Sequence, residues 1–387
     1  MAATDVRPPC ASARRETTPH DERAATLLAA ALVLPGILPA AALAQSAPDE
    51  GVVALRYDDY RDFQPGASRM SVKSPSLYAF VPLSDTLTLE GSLVHDSMSG
   101  ASPLYHDTLS GASGMGVTDY RFAADAKVTK YFDGSAIAVG SAYSHERDYL
   151  SRAASLEWRR WSDDRNRTYA IGFGAAKDHI DSTNGVARDR TRETYEYLLG
   201  MTQVLSAQAV VESSVTWSDG RGYYSDPYKL LDTRPDRRRV FAWLTRYNRY
   251  WPAQDGTLQL AYRYLRDSFG GRSHMLEASW VQALPGGFTV TPSVRYLAQS
   301  AADFYHDPPF PEGSVPGEPY TADARLSAFG AVTLGLRLSK AFPKRVSADV
   351  EVDFYRQRGD LRIGGDGSPG LAPFSARWIA FGLTKRF

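Results

Sequence analysis

The segment Arg345 to Tyr355, RVSADVEVDFY, decides the fold: Val346, Ala348, Val350, Val352 and Phe354 alternate with Ser347, Asp349, Glu351 and Asp353. Successive side chains on a strand point to opposite faces, so this spacing gives one apolar face and one charged face, which a helix would mix. Thr86 to Val94 repeats the pattern, with Leu87, Leu89, Gly91 and Leu93 set against Thr88, Glu90 and Ser92. Thr257 to Asp267 does so again, with Leu258, Leu260, Tyr262 and Tyr264 against Gln259, Arg263 and Asp267.

Working outward, segments of this kind begin near Val52, Met70, Thr86, Val117, Ala136, Ser151, Arg167, Arg190, Ala207, Arg237, Thr257, His274, Phe288, Ala324, Arg345 and Leu371. Their connections fall into two classes. Tight, turn-like stretches follow the even-numbered segments, among them Pro82 to Asp85, Asp133-Gly134-Ser135, Leu205-Ser206, Pro285-Gly286-Gly287 and Pro343-Lys344. Longer ones mostly follow the odd-numbered segments, notably Met98 to Gly116, Ser218 to Asp236 and His306 to Thr321. This is the pattern of an all-β, antiparallel, up-and-down transmembrane β-barrel with short turns on one side of a bilayer and longer loops on the other. The reading predicts about sixteen strands, with fourteen and eighteen as alternatives because Arg237 to Tyr250 reads ambiguously.

Composition fits that reading. Aromatic residues make up 12% of the chain, yet the mean hydropathy is −0.34, because alternation hides a lipid-facing stripe from any window average. The 44 basic and 44 acidic residues balance, which argues against a nucleic-acid partner. The single cysteine, Cys10, precedes the apolar run Ala24 to Leu43. That run follows Arg23, is broken by Pro35, Gly36 and Pro39, and ends near Ala42-Leu43-Ala44, so residues 1–44 read as a cleaved signal peptide and 45–387 as the barrel domain. The exported chain would then lack thiols, which excludes thiol chemistry and Cys-based metal sites.

The chain ends on a strand in which Ile379, Phe381, Leu383 and Phe387 share a face. This resembles the C-terminal signal by which outer-membrane barrels are recognised by their insertion machinery, with Phe381, Leu383 and Phe387 carrying it and Lys385 departing from the usual apolar pattern. A wider resemblance rests on Leu55-Arg56-Tyr57 with Tyr60, Ser74-Pro75-Ser76, Asp96 to Pro103 with Tyr105-His106, Ser110 to Ser113, Tyr131-Phe132, Asp148-Tyr149, and Gly222 to Tyr228. On these residues the chain resembles a family of bacterial outer-membrane β-barrels known only as a domain of unknown function. Members are often encoded near a small lipoprotein, a thioredoxin-like protein and a flavin transferase. The resemblance implies the bacterial outer membrane and envelope partners, a lipoprotein among them. It supplies no catalytic residue.

Charges on the polar faces should point into the lumen, since an ion facing lipid is costly. The pore-lining candidates are Glu90, Arg121, Asp125, Lys127, Glu196, Glu212, Arg263, Asp267, Arg295, Arg337, Asp349, Glu351 and Asp353. A basic wall facing an acidic one is expected. The loop between strands three and four, with Ser99, Ser102, Tyr105, His106, Asp107 and Ser110, is the candidate constriction; an anion nest, or a metal held by His95, Asp96, His106 and Asp107, is the alternative. Clustered rings such as Tyr57, Tyr60, Tyr131, Trp158 and Trp161 are expected to form interfacial girdles.

No cofactor, metal or catalytic residue is assigned. His95 with Ser97 or Ser99 has residue types suited to a rim-located lipid hydrolase or acyltransferase, but His95 and Asp96 should point to opposite faces. The expected function is a pore or transporter for small solutes with a mixed-charge lumen and both termini periplasmic. The alternative is a closed barrel serving as a scaffold for envelope proteins. Only Gln45 to Gly51 precede the first strand, too little for a plug domain.

Overall fold

Alternation alone fixes what each strand can do: with one apolar and one polar face, a strand must pair on both edges and turn its two faces to different media. The computed structural model describes residues 45–65, 67–100, 117–229, 231–307 and 318–387, and satisfies both demands by closing sixteen antiparallel strands into one barrel. The leader and loop residues Ser102, Tyr105, His106, Asp107 and Ser110 lie outside the described residues.

The strands run β1 Val52–Gln64, β2 Ala67–Ser84, β3 Leu87–Gly100, β4 Val117–Phe132, β5 Ser135–His145, β6 Tyr149–Trp161, β7 Arg167–Ile180 and β8 Arg190–Ser206. The second half is β9 Ala209–Gly222, β10 Arg237–Trp251, β11 Gly256–Asp267, β12 Arg272–Leu284, β13 Phe288–Gln299, β14 Phe329–Phe342, β15 Val346–Arg358 and β16 Phe374–Arg386. Each pairs with its sequence neighbours, and β1 pairs with β16 from Val52↔Arg386 to Phe63↔Ser375. The chain terminus completes the seam: Gly51 and Phe387 exchange both main-chain hydrogen bonds, at 2.9 and 3.0 Å. A strand of 13 residues rises about 33 Å at about 3.3 Å per residue and a tilt of about 40°, enough to cross the apolar band of an outer membrane.

Three strand starts differ from the sequence reading by three residues or more, β2 beginning at Ala67 rather than near Met70. β14 begins at Phe329 rather than near Ala324, because Ala324–Leu326 form a 3-10 turn capped by Asp323, whose side chain accepts from the Arg325 amide. β16 begins at Phe374, after Pro369 and Pro373, whose missing N–H groups cannot enter the ladder. β3 runs on to Gly100, so Ser99 is a strand residue paired with Ser71 and Thr118 and not part of the following loop.

The two faces separate cleanly. Leu55, Leu93, Val139, Leu156, Leu199, Leu276, Leu334, Phe354 and Phe381 stand on the outside, with Leu199 61% and Phe354 59% exposed, while Asp58 (1%) and Glu196 (4%) are buried on the inside. An apolar belt running round the cylinder far exceeds the few hundred Å² that soluble monomers expose, and needs a lipid cover. Connections after even-numbered strands are turns of two to five residues. The long connections join strand ends at the opposite side of the barrel, after β3, β7, β9, β13 and β15. These are the turn end and the loop end below.

Candidate functional site

The interior is lined by ion pairs within and between strands. Lys127 on β4 reaches Glu90 on β3 at 2.6 Å, and Tyr78 donates to the same carboxylate at 3.0 Å. Arg159 meets Glu157 at 3.1 Å, Arg246 meets Glu212 at 3.4 Å and Arg295 meets Glu277 at 2.7 Å. Arg56 sits among three carboxylates: Glu351 at 2.9 Å, Asp58 at 3.3 Å and Asp349 at 3.7 Å, with Arg337 also on Asp349 at 3.1 Å. Arg121 pairs with Asp96, Asp125 accepts from Ser92, and Asp267 takes Arg238 at 2.9 Å. Glu196 on β8, Arg263 on β11 and Asp353 on β15 share the inward register of these groups. Opposite charges therefore interleave around the wall. The expected basic wall facing an acidic one is not formed, because residues directly opposite on adjacent strands are nearest neighbours and pair first.

Prolines shape two places in this wall. Pro75 brings no N–H to the ladder, and β2–β3 pairing skips from Lys73↔Ser97 to Ser76↔Val94. There Asp96 turns inward to accept from Ser74 and Arg121, while His95 turns outward and stacks on Tyr120 at 6.1 Å. The two cannot share a metal or a catalytic pair. Pro292 interrupts β12–β13 pairing in the same way, between Ser279↔Ser293 and Gln282↔Val290.

Several rings expected in the girdles face inward instead. Tyr60 donates to Asp62 and packs edge-on against Trp378, Tyr131 lies beneath the Arg159 guanidinium, and Trp161 is buried. Tyr57 and Trp158 do face out. At the turn end, Tyr131, Ala136 and Trp161 receive Ala47, while Gln45 Nε2 donates to the Arg165 carbonyl at 2.8 Å. Residues 45–50 thus run from β1 to β4–β7 along a chord across the opening.

At the loop end, residues 223–229, 231–236, 300–307 and 318–328 fold over the mouth. Thr233 and Tyr320 exchange main-chain bonds of 2.8 Å, and Phe269, Ala302, Phe304 and Leu326 form an apolar cluster joined by Tyr224 and Tyr305. Asp323 is buried in a cationic nest of Arg325 at 2.6 Å, Arg234 at 2.9 Å and Lys229 at 3.7 Å. Burial alone would raise its pKa, but Arg325, Lys229 and Arg234 outweigh that and hold it well below the ordinary carboxylate range. Arg325 also holds Asp226 at 2.7 Å, and Asp232 holds Arg234 at 2.8 Å. The 181–189 loop is tied in through Asn184, which donates to the Pro227 carbonyl at 2.8 Å, and through Tyr228, which bonds Thr183 and Asp148.

Beneath these loops lies a cavity of 540 Å³ reaching down to Ser92 and Asp125. Its arginines are neutralised, as by Asp178 on Arg192 at 2.7 Å. Its acids are not all matched. Asp119, Glu146 and Asp148 bring carboxylate oxygens within 4.8 Å of one another, and among the described residues none of the three is ion-paired. Burial lifts the Glu146 pKa to about 7; Arg121 opposes the rise, and Asp148, Asp119 and Asp96 add to it. Sequence reading missed this trio and the Asp323 nest because Glu146, Asp148 and the nest residues come from loops, where no period marks a side chain's direction, and Asp119 on β4 meets its two partners only through that loop.

No curated protein matches the chain. Among solved structures it is similar to CdiB from Acinetobacter baumannii, with a TM-score of 0.51 and 10% identity over 86% of this chain and 60% of that one. It thus spans less than two thirds of the length of that relative. A bacterial polysaccharide outer membrane secretin follows at TM-score 0.48 and 10% identity, covering 87% and 98%, and OccK11 (OpdR) from Pseudomonas aeruginosa at 0.44 and 9%, covering 87% and 96%. The likeness to CdiB establishes a barrel of the outer-membrane protein fold. The profile of the family described as "Protein of unknown function (DUF3570)" matches residues 105–191 and 185–378, most of the barrel, and the chain belongs to that family.

Proposed function

We propose that the protein spans the bacterial outer membrane with its turn end and both termini in the periplasm, and passes small solutes through its charged interior, cations ahead of anions. The observation that carries this reading is the mouth cavity: its arginines are paired, while Glu146 and Asp148 on its wall and Asp119 beside them have no paired cation and add negative charge, Glu146 only in part near neutral pH because its pKa is about 7. Rings of acidic side chains favour cations in the same way in other channels. Export would follow removal of residues 1–44, and Phe381, Leu383 and Phe387 on the closing strand would present the signal for the insertion machinery.

Purified protein in planar bilayers tests the reading. The expected result is stable conductance steps, with a reversal potential of cation-selective sign under a salt gradient. D119N/E146Q/D148N should reduce that selectivity and leave the steps in place. Silence across many insertions would overturn the pore.

One observation favours a second reading. The loops at the mouth are stitched together by main-chain bonds and by the Asp323 nest, as a closed scaffold for an envelope lipoprotein would require. Co-purification of a lipoprotein with a silent barrel would decide for it. Orientation is tested by labelling Thr183→Cys and Ala253→Cys in whole cells: the first should react and the second should not.

A further inference from the structure

The outward face of the barrel is apolar along most of its height, but on β9 to β12 it turns basic as it nears the loop end. Outward positions on β10 read Trp243, Phe241, Arg239, Arg237; on β11, Tyr262, Tyr264, Arg266; on β12, Leu276, His274, Arg272; and on β9, Trp217, Asp219, Arg221. The intervening residues fix that direction, since Arg238, Asp267 and Met275 are turned inward. Register sets Arg237 opposite Arg221 and Arg266 opposite Arg272.

This sector has one acid. Asp219 takes Arg237 at 2.6 Å and lies 3.8 Å from Arg221. Among the described residues no carboxylate lies within 4 Å of the Arg266 or Arg272 guanidinium, and Arg239, opposite Asp219 in the register, feels that charge without forming an ion pair. Some other basic side chains on the outward face at this end are paired, Arg61 with Asp59 at 3.1 Å and Lys177 with Glu193 at 3.0 Å. On β3 to β5 the corresponding outward residues are His95, Tyr120, Phe122, Tyr143 and His145, mostly stacked rings. Arg152 on β6, Arg356 on β15 and Arg377 on β16 also stand outward near this end with no paired carboxylate among the described residues; what sets β10 to β12 apart is one such guanidinium on each of three consecutive strands.

Each of the three stands on the same strand face as lipid-facing rings and just beyond them, which is the height of lipid headgroups. A soluble or periplasmic protein could not reach this position without displacing lipid. Guanidinium groups bind phosphate through two parallel N–H donors. With adjacent strands about 4.8 Å apart, the row spanning β10 to β12 suits a headgroup bearing more than one phosphate.

We propose that this sector is a docking surface for a phosphorylated, anionic glycolipid of the outer leaflet, with phosphates on Arg239, Arg266 and Arg272 and acyl chains along Trp243, Tyr262 and Leu276. The assignment rests on the proposed orientation, which puts the loop end outside.

The test uses the full barrel, delipidated in neutral detergent, and reads the thermal unfolding midpoint from heat-modifiable gel migration. Binding to the folded state raises that midpoint. Diphosphoryl lipid A should raise it; enzymatically dephosphorylated lipid A, phosphatidylethanolamine and inorganic phosphate should not. R239Q/R266Q/R272Q should abolish the rise, whereas Arg249→Gln at the turn end should keep it. An unresponsive wild type, or a triple variant that responds like wild type, overturns the proposal. A rise with dephosphorylated lipid A overturns it without any variant, so poor folding of the triple variant does not shield it. A response through the same arginines to phosphatidylglycerol but not to lipid A overturns the glycolipid assignment, and the whole-cell labelling then shows separately whether the orientation has failed as well.

Discussion

Arg56 concentrates the chemistry of the interior in one side chain. Its guanidinium serves Glu351, Asp58 and Asp349, and Trp378 Nε1 donates to Asp58 at 3.2 Å. The backbone makes room for this cluster: a Cβ on Gly382 would run into the Asp349 carboxylate, so only glycine lets that side chain lie flat against β16. Removing the shared cation leaves three carboxylates in mutual repulsion on a narrow patch of wall. Arg56→Ala should therefore destabilise the barrel by about 2 to 3 kcal/mol, measured by urea unfolding in phospholipid vesicles. Lys177→Ala, which breaks the exposed pair with Glu193, should cost less than about 1 kcal/mol. At this scale the sequence was informative only where alternation holds. The inward direction of Asp349, Glu351 and Asp353 follows from the valines between them, whereas Arg56 and Asp58 lie in LRYDDYRDF, whose outward positions include Asp59 and Arg61, so no apolar stripe marks the face.

Elements were legible in proportion to how much of their pattern is local. Tight turns carry their own chemistry, as where Gly134 takes a φ of 76° after Asp133. The β14–β15 turn is an exception, since Lys344 and Arg345 both adopt positive φ, 63° and 57°, where side chains other than Asn, Asp and Gly are strained. K344N/R345G should relieve that strain and stabilise the hairpin by about 1 kcal/mol, read from the same urea midpoints. The mouth loops had no local signature; their order comes from contacts such as Arg234 to Asp323 between distant segments. These loops also respond to pH in two directions. Glu146 prefers its proton in the folded state, with a pKa of about 7 against an ordinary 4.5. The folded mouth therefore binds a proton that the unfolded chain has released, and its stability falls as pH rises from about 4.5 through about 7. Asp323 acts in the opposite sense, because its depressed pKa contributes stability above the ordinary carboxylate range that is lost only on strong acidification. Protection factors of residues 223–229 and 318–328, corrected for the base-catalysed intrinsic exchange rate, should be higher at pH 5 than at pH 8, and Glu146→Gln should remove that difference.

For the molecule as a whole, closure was legible because even strand number, alternating connection length and a terminal aromatic strand all require β1 to meet β16. What the ends of the cylinder do was not. The seven residues 45–51 suffice to cross part of the turn-end opening, because an extended chain covers about 3.4 Å per residue. Gln45 anchors the far end on Arg165, and Ala47 fills a pocket between Tyr131, Ala136 and Trp161 on the inner wall. If solutes pass through the interior, this strap narrows their path at the turn end as the loops do at the mouth. A variant lacking residues 45–49, with signal cleavage preserved, should show larger single-channel steps than wild type. Its Trp161 emission should shift to the red as the ring loses its cover, which reports the strap's release independently of conduction. A red shift with unchanged steps would mean that the strap lies clear of the path, leaving the Asp119, Glu146 and Asp148 mouth as the stage that limits flow.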